Sequence, residues 1–249
     1  MRKAGVEVPL MIMRGDGGVM EINEMKKRPV LTMLSGPAAS VMGSLMYLRA
    51  SNGVYFEVGG TTTNIGVIKN GRPAIDYSVV GGHRTYISSL DVRVLGVAGG
   101  SMIRVNKSGV HDVGPRSAHI AGLDYAVFTD EEEIVEPRLE FFSPKEGDPE
   151  DYVAIRLKSG KRITITNSCA ANVLGLVTPK DFSYGSVNSA RKAMQPIADY
   201  LNTTVEDVAS QILTRPMRRS SLLSWSWLTS TAWSMTRYPW WAWAAAPHP

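Results

Sequence analysis

The chain contains a single cysteine, Cys169, so no internal disulfide can form and a reducing compartment is its natural setting. It lacks a signal peptide and any apolar run of the roughly 18 residues that would span a bilayer, which makes a cytoplasmic location the expectation. No Gly-x-x-x-x-Gly-Lys-Ser/Thr occurs, which excludes the helix-opening phosphate loop of P-loop nucleotide enzymes. The histidines His83, His111 and His119 have no paired metal-ligand spacing, and no local Ser-His-Asp or Cys-His set is recognisable. Acidic residues are missing from the whole stretch beyond Asp207, while every tryptophan falls between Trp225 and Trp243.

What is present is otherwise ordinary. A chain of 249 residues with 44% hydrophobic and 20% charged residues can bury a core of one large or two small domains. The acid-free, Trp-rich tail admits three readings: a membrane-surface anchor, a nucleic-acid stacking arm, or an out-of-frame translation. The genetic code favours the third. Across Pro239 to Pro247, joining the last base of each codon to the first two of the next permits Val-Val-Gly-Val-Gly-Gly-Gly-Ala, with the second Val and first two Gly forced. In the same shifted frame, Ser224 to Tyr238 permits an acid-rich amphipathic segment. The tail 216–249 is therefore expected to be out of frame, and neither a nucleic-acid nor a membrane partner is drawn from it.

The most informative stretch begins at Val54 and ends at Ile68. An apolar run leads into Glu57, Gly59, Gly60, Thr61, Thr62, Thr63 and Asn64, then a second apolar run. Asn70-Gly71 follows as a tight hairpin turn, so residues up to Tyr77 read as a three-stranded meander. Glycines allow close backbone approach to a bulky anion, and free N–H groups beside threonine hydroxyls can cradle phosphate oxygens. Glu57 beside such a phosphate would be a direct or water-mediated partner of Mg²⁺. An ordinary hairpin with a polar turn is the competing reading of these residues alone.

Further motifs join this one in a fixed order. Ile12-Met-Arg-Gly-Asp-Gly-Gly18 precedes Ser35-Gly-Pro-Ala-Ala39; Leu90-Asp91 and Gly96-Val-Ala-Gly-Gly-Ser101 follow the hairpin, and Val113-Gly-Pro-Arg-Ser-Ala118 comes next. Together they resemble the hydantoinase/oxoprolinase family, ATP-dependent enzymes that open cyclic amides, with some carboxylase subunits as relatives. The segment from Glu57 to Asn64 is similar to the family's Asp-x-Gly-Gly-Thr-x-Thr-Asp, with Glu57 and Asn64 in place of its two aspartates. The stretch from Ala118 to Tyr125 also departs from the common Pro-Gly-Pro version.

The resemblance implies an α/β fold of the actin-like ATPase (ribonuclease H-like) type, a mixed sheet with a β-meander phosphate loop. It implies ATP and Mg²⁺ as cofactors, a small cyclic amide or related carbonyl compound as substrate, and a second enzyme subunit as a candidate partner. Gly59, Gly60, Thr61, Thr62 and Thr63 would hold phosphate, with Gly99, Gly100 and Ser101 on the cleft wall. Glu57, Asn64 and Asp91 would be the catalytic candidates, Glu57 also serving the metal. A Gly-Gly-Ser turn can equally serve close strand packing, and Asp91 a turn. The resemblance places the chain, over 1–215, in part of an ATPase domain without the first phosphate motif. A non-catalytic nucleotide- or partner-binding domain is the alternative.

Elsewhere, Pro9 to Arg14 reads as a strand, 21–27 as a polar connection, and Ser35 as the cap of a helix through Arg49. Residues 130–151 read as an acidic surface excursion. Tyr152 to Thr166 reads as a hairpin around Ser159-Gly160, followed by helices from Ser168, Ser186 and Thr204. Cys169 reads as a small buried residue near a helix start.

Overall fold

The computed structural model describes residues 2–48, 52–80 and 82–215. The tail from Pro216, and the expected helix end at Arg49, lie outside the described residues. Strands β1 (Met11–Met13) and β2 (Val19–Glu21) form an antiparallel pair. The polar connection expected over 21–27 is instead a helix, α1 (Ile22–Lys27), because the Glu21 carboxylate accepts from the Asn23 amide and caps it. Helix α2 (Ser35–Leu48) starts at Ser35 itself, with Ala38 N–H donating to the Leu34 carbonyl.

The hairpin forms as the sequence predicts, with β3 (Gly53–Val58) antiparallel to β4 (Thr63–Lys69). Asn70 and Gly71 both take positive φ, 52° and 70°, as their tight turn requires. The third strand differs from expectation. It breaks into β5 (Arg72–Pro73) and β6 (Ile75–Val80), and β6 leaves to pair with β7 (His83–Leu90). Pro73 has no N–H to extend a ladder along β4, which explains the short stay. Along β4 the place is taken by β8 (Val92–Leu95), registered Asn64↔Val94 and Thr63↔Leu95.

The second half is a six-stranded mixed sheet. It contains β9 (Ser101–Asn106), β10 (Gly109–Ser117), β11 (Asp124–Tyr125), β12 (Arg138–Phe142), β13 (Tyr152–Arg156) and β14 (Arg162–Thr164). Only the β11–β14 pair among these is parallel. The 130–151 stretch, expected to run over the surface, contributes β12 as a full partner of β13. The hairpin around Gly160 (φ 86°) is as expected. A short helix, α3 (Ala118–Ala121), follows β10; α4 (Asn167–Val173) is capped by Thr166 and α5 (Val187–Leu201) by Ser186, and residues 205–215 are helical.

The main core lies between this sheet and those last three helices. Ile103, Val153, Ile155, Ile163, Met194, Ile197 and Ile212 meet there, and each is fully shielded from solvent. Cys169 belongs to this core, and burial pushes its thiol up from the ordinary value, so it is a packing residue as expected. The hairpin half has smaller apolar clusters of its own, Ile65, Val67 and Leu95 on one face and Ala38, Val41 and Leu90 on the other.

Candidate functional site

Alternation along the hairpin sorts the predicted residues onto two faces. Glu57 and Asn64 are cross-strand partners and share a face with Val94 of β8. Phe56, Val58, Thr63, Ile65 and Leu95 line a cleft of about 1000 Å³ on the other side. The Asn64 amide donates to Glu57 Oε2 at 2.7 Å. Asn64 is only 8% exposed, and its Oδ1 is buried with no hydrogen-bond partner among the described residues. Tyr55 lies on the same face, its phenol among Ser40, Ser44 and Glu57; burial is the main cause that raises it above its ordinary value.

Between the two strands, residues 59–62 turn tightly, with Gly59 N–H donating to the Thr62 carbonyl at 3.1 Å. The second glycine segment lies directly against this turn. Gly99 N–H donates to the Gly59 carbonyl at 3.1 Å and Gly100 N–H to the Gly60 carbonyl at 2.8 Å. Thr63 Oγ1 donates to the Val97 carbonyl at 2.6 Å, and the Thr61 and Ser117 hydroxyls share a hydrogen bond at 3.0 Å. Ser101 is fully buried and its hydroxyl accepts from Ala98 N–H at 2.8 Å.

Gly100 is explained by this contact. None of Gly59, Gly60, Gly99 and Gly100 has a positive φ, so their backbones need no special conformation. A Cβ on Gly100, however, would stand 2.7 Å from the Gly60 carbonyl oxygen and 1.9 Å from the Tyr125 hydroxyl. Close approach is what the position demands. The amides of Gly59, Gly99 and Gly100 are thus committed within the protein, whereas those of Gly60, Thr61 and Thr62 donate to no described residue.

Asp91 stands apart. It is at the end of β8 remote from the glycine segments, beyond the Gly66↔Val92 pair, where its N–H donates to the Ala74 carbonyl and its carboxylate faces Arg93 at 3.5 Å. The structure adds residues that sequence reasoning did not select. Ser168, at the start of α4, donates through its N–H (2.9 Å) and its hydroxyl (3.0 Å) to the Gly99 carbonyl, and Asn167 donates to the Ala98 carbonyl at 2.8 Å. Tyr125 reaches the same junction from β11. The sequence signalled a helix from Ser168, but neither its Thr166 cap nor the loop on which the helix start lands.

Among the described residues no group of three or more His, Cys, Asp or Glu could hold a metal ion by itself. A phosphate-bound Mg²⁺ needs less, since it keeps several waters and takes one or two protein oxygens besides phosphate. Glu57 and the unpartnered Asn64 Oδ1 fit that requirement as neighbouring oxygen donors. The uncommitted amides of 60–62 and the nearby threonine hydroxyls fit a phosphate. Among the described residues Asp181 is the one charged side chain lining the large cleft, and hydrogen bonds from Thr178 hold its carboxyl below the usual range.

The architecture is an α/β fold of the actin-like ATPase type. Nucleotide-free acetone carboxylase, described in a study of ATP-dependent acetone carboxylation, superposes with a TM-score of 0.66 at 22% identity. That match covers 94% of this chain and 30% of the carboxylase chain. The ATP-dependent caprolactamase of Pseudomonas jessenii superposes with a TM-score of 0.53 at 22% identity, over 86% of this chain and 28% of that one. The model of the hydantoinase/oxoprolinase family matches residues 1–217, and the chain belongs to that family. Caprolactamase subunit alpha of Pseudomonas jessenii is 30% identical over 118 residues. This is 46% of the present chain, which spans 17% of that relative's length. Among the described residues no helix is long and apolar enough to cross a membrane.

Proposed function

We propose that this chain provides the second phosphate-loop region of an ATP-dependent enzyme acting on a small cyclic amide or related carbonyl compound. The observation that carries the reading is the pair of abutting glycine segments, with the uncommitted 60–62 amides at the turn and the Glu57–Asn64 pair on the adjoining strands. When bound, Mg²⁺-ATP supplies a phosphoryl group whose transfer to an amide oxygen makes the C–N bond labile to water. Gly60, Thr61 and Thr62 hold phosphate through their amides, with Gly59 and Thr63 shaping the turn. Glu57 and Asn64 Oδ1 orient the metal or its waters. Gly99, Gly100 and Ser101 fix the position of the turn from behind. Asp91, at the far end of β8, is left outside this set.

A second reading, a nucleotide- or partner-binding region without turnover, is favoured by one observation. Where the family motif has a second aspartate the chain has Asn64, so one carboxylate remains near the metal. A second subunit as partner is supported by the relative's description as a subunit. The out-of-frame origin of 216–249 is also proposed, and the codons from 205 to 249 test it. ATP hydrolysis by the chain, lost in Gly60→Val, separates the two readings: hydrolysis that survives Gly60→Val refutes the loop assignment, and its absence in the native chain leaves the binding reading.

A further inference from the structure

Where the sequence departs from the common Pro-Gly-Pro version of its family, the chain places a tyrosine against both glycine segments. Tyr125 lies on β11, paired in parallel with Thr164 at the edge of the mixed sheet. Its ring is half-buried, packed against the main core and tilted over Phe128 with centroids 5.6 Å apart. That packing leaves the ring little freedom, so the position of its hydroxyl is fixed by the core rather than by the loops.

The hydroxyl ends at the junction of the two turns. A Cβ built on Gly100 would fall 1.9 Å from it, and one on Gly60 would fall 3.6 Å away, in ordinary contact. Glycine at 100 is therefore required by the phenol as much as by the Gly60 carbonyl. Around this point the inward amides are already committed, Gly99 to Gly59 and Gly100 to Gly60. The Tyr125 hydroxyl makes no hydrogen bond with a described residue, and Tyr125 lines both the large cleft and a neighbouring pocket of about 420 Å³. Burial raises the phenol above its ordinary value, so it stays a neutral donor across the physiological range. A neutral O–H can donate to an anion without bringing a charge of its own.

We infer that the Tyr125 hydroxyl donates a hydrogen bond to a phosphate oxygen held at the 59–62 turn, so that Tyr125 is a phosphate-positioning residue. The inference rests on the phosphate-loop reading of that turn. It gives the departure from the family pattern a role: a rigid donor set beside a turn whose Gly59 amide, like those of the abutting Gly99 and Gly100, is committed within the protein.

The test is Tyr125→Phe in the full chain, which keeps the ring and its packing and removes the donor alone. Tripolyphosphate, ATP and adenosine are titrated by calorimetry against both proteins, with melting temperatures measured in parallel. Tripolyphosphate and ATP should bind about tenfold more weakly or worse to the variant, the range for a hydrogen bond to a charged group, with adenosine unchanged. A second readout does not depend on folding cost. Tripolyphosphate should perturb the tyrosine ultraviolet absorbance of the native chain, and that difference should vanish in Tyr125→Phe. Equal tripolyphosphate affinity in the two proteins overturns the role of Tyr125 while leaving the turn as a phosphate site. Absence of tripolyphosphate binding to the native chain overturns both.

Discussion

Replacing Gly100 with alanine should destabilise the chain sharply, although the backbone there suits any residue. The Cβ would meet two obstacles, the Tyr125 hydroxyl at 1.9 Å and the Gly60 carbonyl oxygen at 2.7 Å. Neither can yield cheaply, because the ring is packed into the core and the carbonyl belongs to a backbone already tied to Gly100. Separating the segments would cost the Gly99 to Gly59 and Gly100 to Gly60 hydrogen bonds, about 1 kcal/mol each. Crowding adds about 1–3 kcal/mol, and the stiffer unfolded chain returns about 0.5 kcal/mol. The net loss should be about 3 kcal/mol, which for a region of this size lowers the melting temperature by roughly 6–12 °C. Gly60→Ala is the internal control, since its Cβ would meet only the Tyr125 hydroxyl at 3.6 Å. Thermal unfolding followed by circular dichroism measures both. A Gly100→Ala variant that melts within a degree of the native chain, or a Gly60→Ala variant that falls as far, would refute the argument that close approach requires glycine at 100.

Two further perturbations address electrostatics. Asn64→Asp puts a second carboxylate where the amide now donates to Glu57 at 2.7 Å, so without divalent cation it should cost about 2 kcal/mol near neutral pH. Millimolar Mg²⁺ should restore the melting temperature if this pair addresses a metal; no response to Mg²⁺ argues that it does not. On the mixed sheet, burial would by itself raise the Asp151 carboxyl, but the Arg104 guanidinium at 2.7 and 3.0 Å and His111 at 2.7 Å hold it below its ordinary value. A depressed folded-state value means the stability is present above the unfolded carboxyl range and is lost as pH falls through the folded one. Asp151→Asn should therefore cost about 1 kcal/mol at pH 7, allowing for solvent screening, with the gap closing below about pH 4 in urea titrations; a pH-independent gap would contradict it.

Local signals carried much of the fold. The Asn70-Gly71 pair dictated a turn with two positive φ values, and with it the Lys69↔Arg72 register of β4 against β5. Helices were expected from Ser168 and Ser186; Ser186 caps the second as its side chain allows, while the first begins one residue early at Asn167 because Thr166 caps it. Non-local choices were not legible. Both β5 and β8 border β4, and the alternating pattern suits either, so only the proline in one of them explains the broken third strand. The acidic character of 130–151 hid β12, because an edge strand can carry Arg138 to solvent and Glu140 to the Arg156 and Arg162 guanidinium groups while Leu139 packs against the core.

The site divides along the same line. That Gly59 and Gly60 sit in a hairpin turn follows from their neighbours, but that Gly99 and Gly100 close upon them depends on a meeting of distant segments. Set beside the motif that the segment resembles, Glu57 and Asn64 look like two separate losses. In the fold they are one coupled change. A carboxylate at 64 could not donate to Glu57, whereas an amide can, and the longer Glu57 side chain reaches across the ladder to accept it at 2.7 Å. The pair keeps one negative charge and leaves Asn64 Oδ1 free beside it, so an oxygen pair survives with half the charge. Such a pair should hold a divalent cation more weakly than two carboxylates and depend more on phosphate to complete the shell. Metal binding by this chain should accordingly follow nucleotide binding rather than precede it.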